Sequence, residues 1–202
     1  MDVIDFSKAM KDVYTAKQKI REVTIEPGIF IAEGGKGEPG GKAFGTAIQD
    51  VFATVYTVKF SLKFAGKLEF KVNKLECLWF SDPKTTPMNQ WEWRVMVRIP
   101  DEVGAGDIKA AQKQIKEKKG LDVSGAKRTA WKGGRALQFL HVGPYEKLGS
   151  TYKQLAAYAE EHGFRVTGPG HEIYLNDPRR TAPEKLKTIA FLGIDRAGVG
   201  GM

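Results

Sequence analysis

The stretch GHEIYLNDPRRTAPEKLKT (170–188) places an acidic residue, Glu172, at the start of the apolar strand EIYL, and LECLWF (75–80) does the same with Glu76. A carboxylate in a buried strand is costly unless it is paired, solvated or put to use. Partly desolvated, it would hold its proton more tightly and could act as a general base on a bound water. Set among aromatic faces, it would select a planar, cationic or electron-poor ligand. Trp79, Phe80, Trp91, Trp93, Trp131 and Tyr174 lie in or beside the strand regions. Aromatics at strand spacing usually form core, yet aromatic walls with a few polar groups are also what a ligand pocket requires. The competing reading of Glu172 is a surface carboxylate paired with Arg179 or Arg180, which would perturb little. Strand alternation by itself favours neither.

Other chemistries find less support. Cys77 is the single cysteine, so no intrachain disulfide can form, and its apolar neighbours mark it as core. His141, His162 and His171 are too dispersed for a metal motif, and no metal or organic cofactor is expected. His141 shares a strand face with Leu137 and Phe139, the setting of a hydrogen-bonded core histidine. No G-x-S-x-G elbow supports Ser/His/Asp catalysis. The glycine-rich run GGKGEPGGKAFG invites a phosphate-binding reading and fails it. A Walker A loop would need Gly at Lys36 and Ser or Thr at Ala43. Gly35, Gly37 and Gly40 have dinucleotide-fingerprint spacing, but Pro39 precedes the last, so a flexible strand–helix connection is the better reading.

The elements that must carry these residues read as follows. Phe6, Met10, Val13 and Ile20 predict one amphipathic opening helix over 5–21. TIEPGIFIAEG (24–34) reads as a strand, and Phe44, Ala47, Ile48, Val51, Phe52, Val55 and Tyr56 as a helix stripe. LECLWF and WEWRVMVRI (91–99) are strands, the latter alternating cleanly, joined by the turn-rich SDPKTTPMNQ. KAAQKQIKEKKG (109–120) is a helix with a solvated lysine face. RALQFLHVG (135–143) is a strand ending in the turn GPY. Leu148, Tyr152, Leu155 and Ala159 then mark a helix closed by Gly163. EIYLN (172–176), a short capped turn at TAPE and the strand KTIAFLGI (187–194) follow, before a tail over 196–202 expected to fray. The order strand–helix–strand–strand thus occurs twice, and Glu76 and Glu172 occupy the same place in each half.

The chain has 202 residues, 42% of them hydrophobic, which fits a globular protein with a real core. Its net charge of +8 comes from scattered lysines more than from a clustered basic patch. The N-terminus lacks the features of a signal peptide and no apolar run is long enough to span a bilayer, so a cytoplasmic protein is expected.

The runs KDVYTAKQKI, IFIAEGGKGEP, AIQDVFATVYTVKFSLK, LECLWF, the W-x-W strand, HVGPYEKLGSTYKQLAAYAEEHGF and HEIYLNDPRRTAPEKLKT closely resemble the free-standing GyrI-like small-molecule-binding proteins. The likeness covers nearly the whole chain. It implies a single α+β domain over 1–202, with tandem modules at about 24–100 and 135–195 related by a pseudo-twofold axis. The antiparallel sheet would carry helices on one face and a ligand cleft on the other. The same domain serves as a drug sensor in some transcription regulators, where a buried glutamate meets cationic aromatic compounds. Some stand-alone members are hydrolases that open the cyclopropane ring of DNA-alkylating natural products. By resemblance, Glu172 is the catalytic or charge-recognising residue and Glu76 its counterpart. Trp79, Phe80, Trp93, Trp131, Tyr145 and Tyr174 are the expected ligand-contacting aromatics. This chain departs from the family at Cys77, commonly glycine, and Phe80, commonly tryptophan. Alternation also sets Glu76 and Trp79 on opposite faces, so without a bulge they cannot both line one pocket.

The expected partner is a small molecule. A non-enzymatic sensor or an inhibitor of a protein such as a topoisomerase are the alternatives. Direct nucleic-acid binding is not expected, because no helix-turn-helix fits in the residues before the first module. Tandem modules make a monomer sufficient and are equally compatible with a dimer.

Overall fold

The computed structural model describes residues 2–196. In chain order the elements are α1 (Phe6–Ala9), α2 (Lys11–Tyr14), β1 (Arg21–Ile25), β2 (Gly28–Lys36), α3 (Lys42–Phe64), β3 (Leu75–Trp79) and β4 (Glu92–Ile99). There follow α4 (Ala105–Lys119), β5 (Lys127–Trp131), β6 (Gly134–Val142), α5 (Leu148–Glu161), β7 (Phe164–Tyr174) and β8 (Lys187–Arg196). The chain divides into two compact units. The first holds the residues up to Ala9 with Pro27–Lys132, and the second holds Met10–Glu26 with the chain from Gly133 onward.

Each unit is α+β and antiparallel, as expected. In the first, the strands run in the order β3-β4-β2-β5, and in the second β1-β6-β8-β7. Helix α3 lies against β2 and β4. It buries Ala47, Val51, Val55 and Val58, and the fully buried Ile31, Val95 and Val97 supply the sheet side of this core. Helix α4 packs on α3 through its own stripe of Ile108, Ala111 and Ile115. In the second unit, Leu148, Leu155 and Ala159 of α5 close over Leu137, Ala190, Leu192 and Ile194. Burial of such side chains, at about 1.5–3 kcal/mol each, is what fixes the helices to their sheets.

Three expectations need correction. The opening segment is not one helix over 5–21, because helical structure ends at Tyr14. The reason is long-range. Gln138 Nε2 donates to the carbonyls of Asp12 and Val13 at 2.9 and 3.1 Å, and Arg21 Nη2 donates to those of Asp12 and Thr15, both at 2.8 Å. Carbonyls captured by side chains no longer serve a helical ladder. Second, TIEPGIFIAEG is two strands, since Pro27 lacks the N–H to continue a ladder. β1 pairs with β6, whereas β2 pairs with β4 and β5. Third, EIYLN is only the end of β7, which begins at Phe164 and shifts register between Val166 and Gly170. Strand β5 was not anticipated. Of the tail, Arg196 ends β8 and residues 197–202 lie outside the described residues.

Candidate functional site

Glu172 and Tyr174 stand on one face of β7, two residues apart. The register shift in β7 sets Glu172 opposite Ala190 and Tyr174 opposite Thr188, while Ala190 lies opposite Phe139 of β6. Paired residues share a face, so this is the side on which α5 packs, through Leu137, Ala190 and Leu192. Glu172 is only 5% exposed, and Tyr174 Oη donates to its Oε2 at 2.7 Å.

Tyr145 joins this pair from the turn before α5. Gly143 takes φ +138°, a left-handed conformation that Gly adopts without penalty. Pro144 then enters a 3-10 turn over Tyr145–Lys147 leading into Leu148. The Tyr145 ring meets Tyr174 edge-on, centroids 5.6 Å apart at 78°. Burial raises the Tyr145 phenol above its ordinary pKa, and the negative charges of Glu172 and Asp177 raise it further. It therefore stays a hydrogen-bond donor beside the carboxylate.

Arg179 is engaged elsewhere. Its guanidinium makes a bidentate pair with Asp177, Nη2 to Oδ2 at 2.8 Å and Nε to Oδ1 at 3.0 Å, and holds that carboxyl at a pKa of about 2. The ion-pair reading of Glu172 thus loses Arg179 to a nearer carboxylate.

Glu76 is buried more deeply, at 1% exposed, but its setting differs. Its partner across β4 is Met96, itself opposite Ala32 of β2. With Phe30 and Leu78, those residues form an apolar cluster against which Trp131 packs, edge-on to Phe30. Helix α3 lies on the other face, where Phe44 stacks on Trp79 at 5.5 Å and meets Trp93 edge-on at 5.1 Å. Glu76 therefore faces away from the helix of its unit, and Glu172 faces toward the helix of its own. The two share a place in sequence but differ in how each faces the helix of its own unit. β3 has no bulge that would turn Glu76 and Trp79 to one face. The expected cleft on the face the helices leave free does not describe Glu172 and Tyr174, which stand on the α5 side.

The remaining expected residues separate accordingly. Trp79 and Trp93 belong to the α3 side, and each has an indole Nε1 that is buried without an acceptor among the described residues. Trp91 packs edge-on to Trp79 and donates from Nε1 to the Thr86 carbonyl at 2.9 Å. Phe80 lies just beyond β3, 45% exposed, with the Arg94 guanidinium over its ring. Cys77 is fully buried on the α3 side, which settles its departure from the family as a core residue. His141 is the hydrogen-bonded core histidine expected, with Nδ1 2.8 Å from Thr151 Oγ1 and Nε2 3.2 Å from the Pro144 carbonyl. The glycine-rich run has its own explanation, because Gly35 continues β2 directly beneath the Trp93 indole, and a Cβ there would enter the ring.

Two residues escaped the sequence reading. Thr188, fully buried opposite Tyr174, has an Oγ1 that finds no partner among the described residues. Tyr152 of α5 donates from Oη to the His171 carbonyl at 3.2 Å, an approach that Gly170 permits. Only the register of β7 on β8 reveals Thr188. Tyr152 is visible in the sequence as part of the α5 stripe, but its carbonyl contact is not. Among the described residues no group of three or more His, Cys, Asp or Glu could hold a metal ion. No described helix is long and apolar enough to cross a membrane.

A buried carboxylate with a phenol donor and a second tyrosine edge-on is an arrangement that can recognise a small molecule. The model of the GyrI-like small molecule binding domain matches residues 18–194. The chain belongs to this family. Among solved structures, an uncharacterized conserved protein from Listeria innocua is 33% identical, with a TM-score of 0.88, over 95% of this chain and 100% of its own. A hydrolase from Listeria innocua is also 33% identical, over 95% of this chain and 100% of its own, with a TM-score of 0.85. The EcmrR C-terminal domain, 14% identical with a TM-score of 0.58 over 89% of this chain and 98% of its own, shares the fold. No curated protein matches the chain. Within the second unit of this GyrI-like chain, the Glu172–Tyr174–Tyr145 group is the candidate site.

Proposed function

We propose that this GyrI-like protein binds planar aromatic or cationic small molecules at Glu172, Tyr174 and Tyr145 and hydrolyses electrophilic, cyclopropane-bearing members of that class. The observation that carries the reading is the buried Glu172 carboxylate accepting a hydrogen bond from Tyr174 beside the edge-on Tyr145 ring. The one-third identity to a hydrolase of matching length supports turnover over mere retention.

Glu172 would remove a proton from water as the water oxygen bonds to a ring carbon. The strained carbon–carbon bond breaks, and its electron pair passes into the conjugated carbonyl of the substrate. Glu172 then returns the proton to the ring-opened product, so the net change is addition of water. Tyr174 fixes the carboxylate, and Tyr145, kept protonated, donates to developing negative charge. A strained, conjugated ring is already electrophilic, so positioning and one base suffice. Glu76, among Met96, Leu78 and Phe30, is given no part in the reaction.

The test is incubation of purified protein with a cyclopropane-bearing aromatic alkylator, ring opening being followed by chromatography. Multiple turnovers are expected, with loss of about 10²–10⁴ in rate for Glu172→Gln. Binding without turnover would reduce the protein to a sequestering module, and neither binding nor turnover would remove the substrate class.

A further inference from the structure

Helix α3 is apolar on a second side. Phe52, Tyr56, Phe60 and Phe64 recur every fourth residue, opposite in purpose to the buried Val51, Val55 and Val58. Successive rings lie 6.2, 6.4 and 5.9 Å apart, the last two pairs stacked at 21° and 20°. Phe64 is 82% exposed, and Tyr56 and Phe60 are nearly half exposed. Single exposed aromatics are ordinary, but a continuous ladder marks an interaction surface. A groove of about 520 Å³ runs beside it, with Tyr56, Phe60 and Phe64 on one wall and Gln114, Lys118 and Lys119 of α4 on the other. The only charged side chains lining it are those two lysines, and neither has an ion-pair partner among the described residues. Lys59 adds positive charge over the Phe60 ring at 5.6 Å.

We propose that this groove docks an acidic amphipathic helix of a protein partner. The partner's apolar residues, at i, i+4 and i+7, lie along the ladder, and its carboxylates meet Lys118 and Lys119. Charge complementarity selects the acidic partner, and concavity selects a rod over a flat bilayer. A second copy docked groove to groove would oppose lysine to lysine, a like-charge arrangement that costs affinity. This surface shares no residue with the Glu172 group, so its test stands apart from that of the hydrolase.

The experiment titrates the full chain into two labelled synthetic helices of one apolar register, flanked in one by glutamates and in the other by lysines, and reads fluorescence anisotropy. The acidic helix binds, and the basic one binds at least about tenfold more weakly. Phe60→Ser with Phe64→Ser, and separately Lys118→Glu with Lys119→Glu, each weaken the acidic helix by about tenfold or more. The charge reversal also restores the basic helix. All of these positions are exposed or line the groove, so circular dichroism should report an unchanged fold. Equal binding of both helices, no binding, or indifference to the substitutions overturns the proposal. Sedimentation with phosphatidylserine vesicles in place of peptide binding assigns the ladder to a membrane instead. Self-association abolished by Phe64→Ser assigns it to a second copy.

Discussion

The segments LECLW of β3 and HEIY at the end of β7 each carry a glutamate second, each pairs antiparallel with a neighbouring strand, and each glutamate is buried. Their surroundings nevertheless diverge. In the first unit, α3 packs on the face of Cys77 and Trp79, and Glu76 stands on the opposite face, which also carries Met96, Leu78 and Phe30. In the second, α5 packs on the face that holds Glu172 and Tyr174, and the turn into that helix delivers Tyr145. A shift of one residue between two otherwise similar strands exchanges what each side chain meets. The position in the first unit that faces its helix as Glu172 does is therefore Cys77 or Trp79, not Glu76. Sequence correspondence and structural correspondence part at that single step. For Glu172 the neighbours that matter are a phenol that donates to it and an aromatic ring edge-on to that phenol.

The contrast can be broken experimentally, most sharply through stability. Leu78→Ala, on the face of Glu76, should cost about 2–5 kcal/mol in urea unfolding and leave ligand affinity unchanged. A loss of ligand binding without a loss of stability would return that face to the functional site. Tyr174→Phe should do the reverse. Removal of a hydrogen bond to a charged acceptor, about 1.5–3 kcal/mol, should lower turnover by roughly ten- to a hundredfold with the fold intact. An unchanged rate would show that the Tyr174–Glu172 bond is structural only. Gly35→Ala drives a methyl into the Trp93 ring and should cost about 1–3 kcal/mol while altering indole fluorescence. Unaltered fluorescence would mean that the β2 glycines do not seat that indole.

Smaller effects are ionic. Arg179→Ala should let Asp177 climb from about 2 toward its ordinary value of 3.8, visible in a carboxyl NMR titration, with turnover kept. Because the native carboxyl is depressed, the stability it brings is present above 3.8 and lost as pH falls toward 2. A collapse of turnover in this variant would revive the Arg179 pairing for Glu172. Tyr145, raised above its ordinary value of 10.0, retains its proton on folding, so its contribution holds below that pH and is lost as pH rises through the native value. Glu172→Gln removes the second cause of that shift and should move the phenol titration, read by ultraviolet absorbance, slightly downward. No movement would separate Tyr145 from Glu172.

Much of this architecture is written in local pattern. The alternation Trp93, Val95, Val97, Ile99 identifies β4, and the buried spacing of α3 and α5 identifies both helices. Alternation also separates Glu76 from Trp79 without any coordinates. What local pattern lacks is register and distant capture. The opening helix stops because Gln138 and Arg21 take its carbonyls, and nothing in residues 5–21 signals Gln138. β5 is a five-residue edge strand, KRTAW, with few apolar residues to betray it. The stripe read through Phe52 and Tyr56 combined two sides of α3, because periodicity marks apolar residues without saying what covers them. Of the candidate site, Glu172, Tyr174 and Tyr145 could be named from the chain. Thr188 could not, since its place depends on which residue of β8 lies opposite Tyr174.

The central claim is that one glutamate acts and its sequence counterpart does not. The direct measurement is ring opening of a cyclopropane-bearing aromatic alkylator by Glu172→Gln and Glu76→Gln, side by side with wild type, each with its thermal unfolding curve. The account predicts that Glu172→Gln loses turnover by about 10²–10⁴ without unfolding, whereas Glu76→Gln keeps its turnover and shows its effect in stability. Equal losses of turnover from both, or turnover that survives Glu172→Gln, would contradict it.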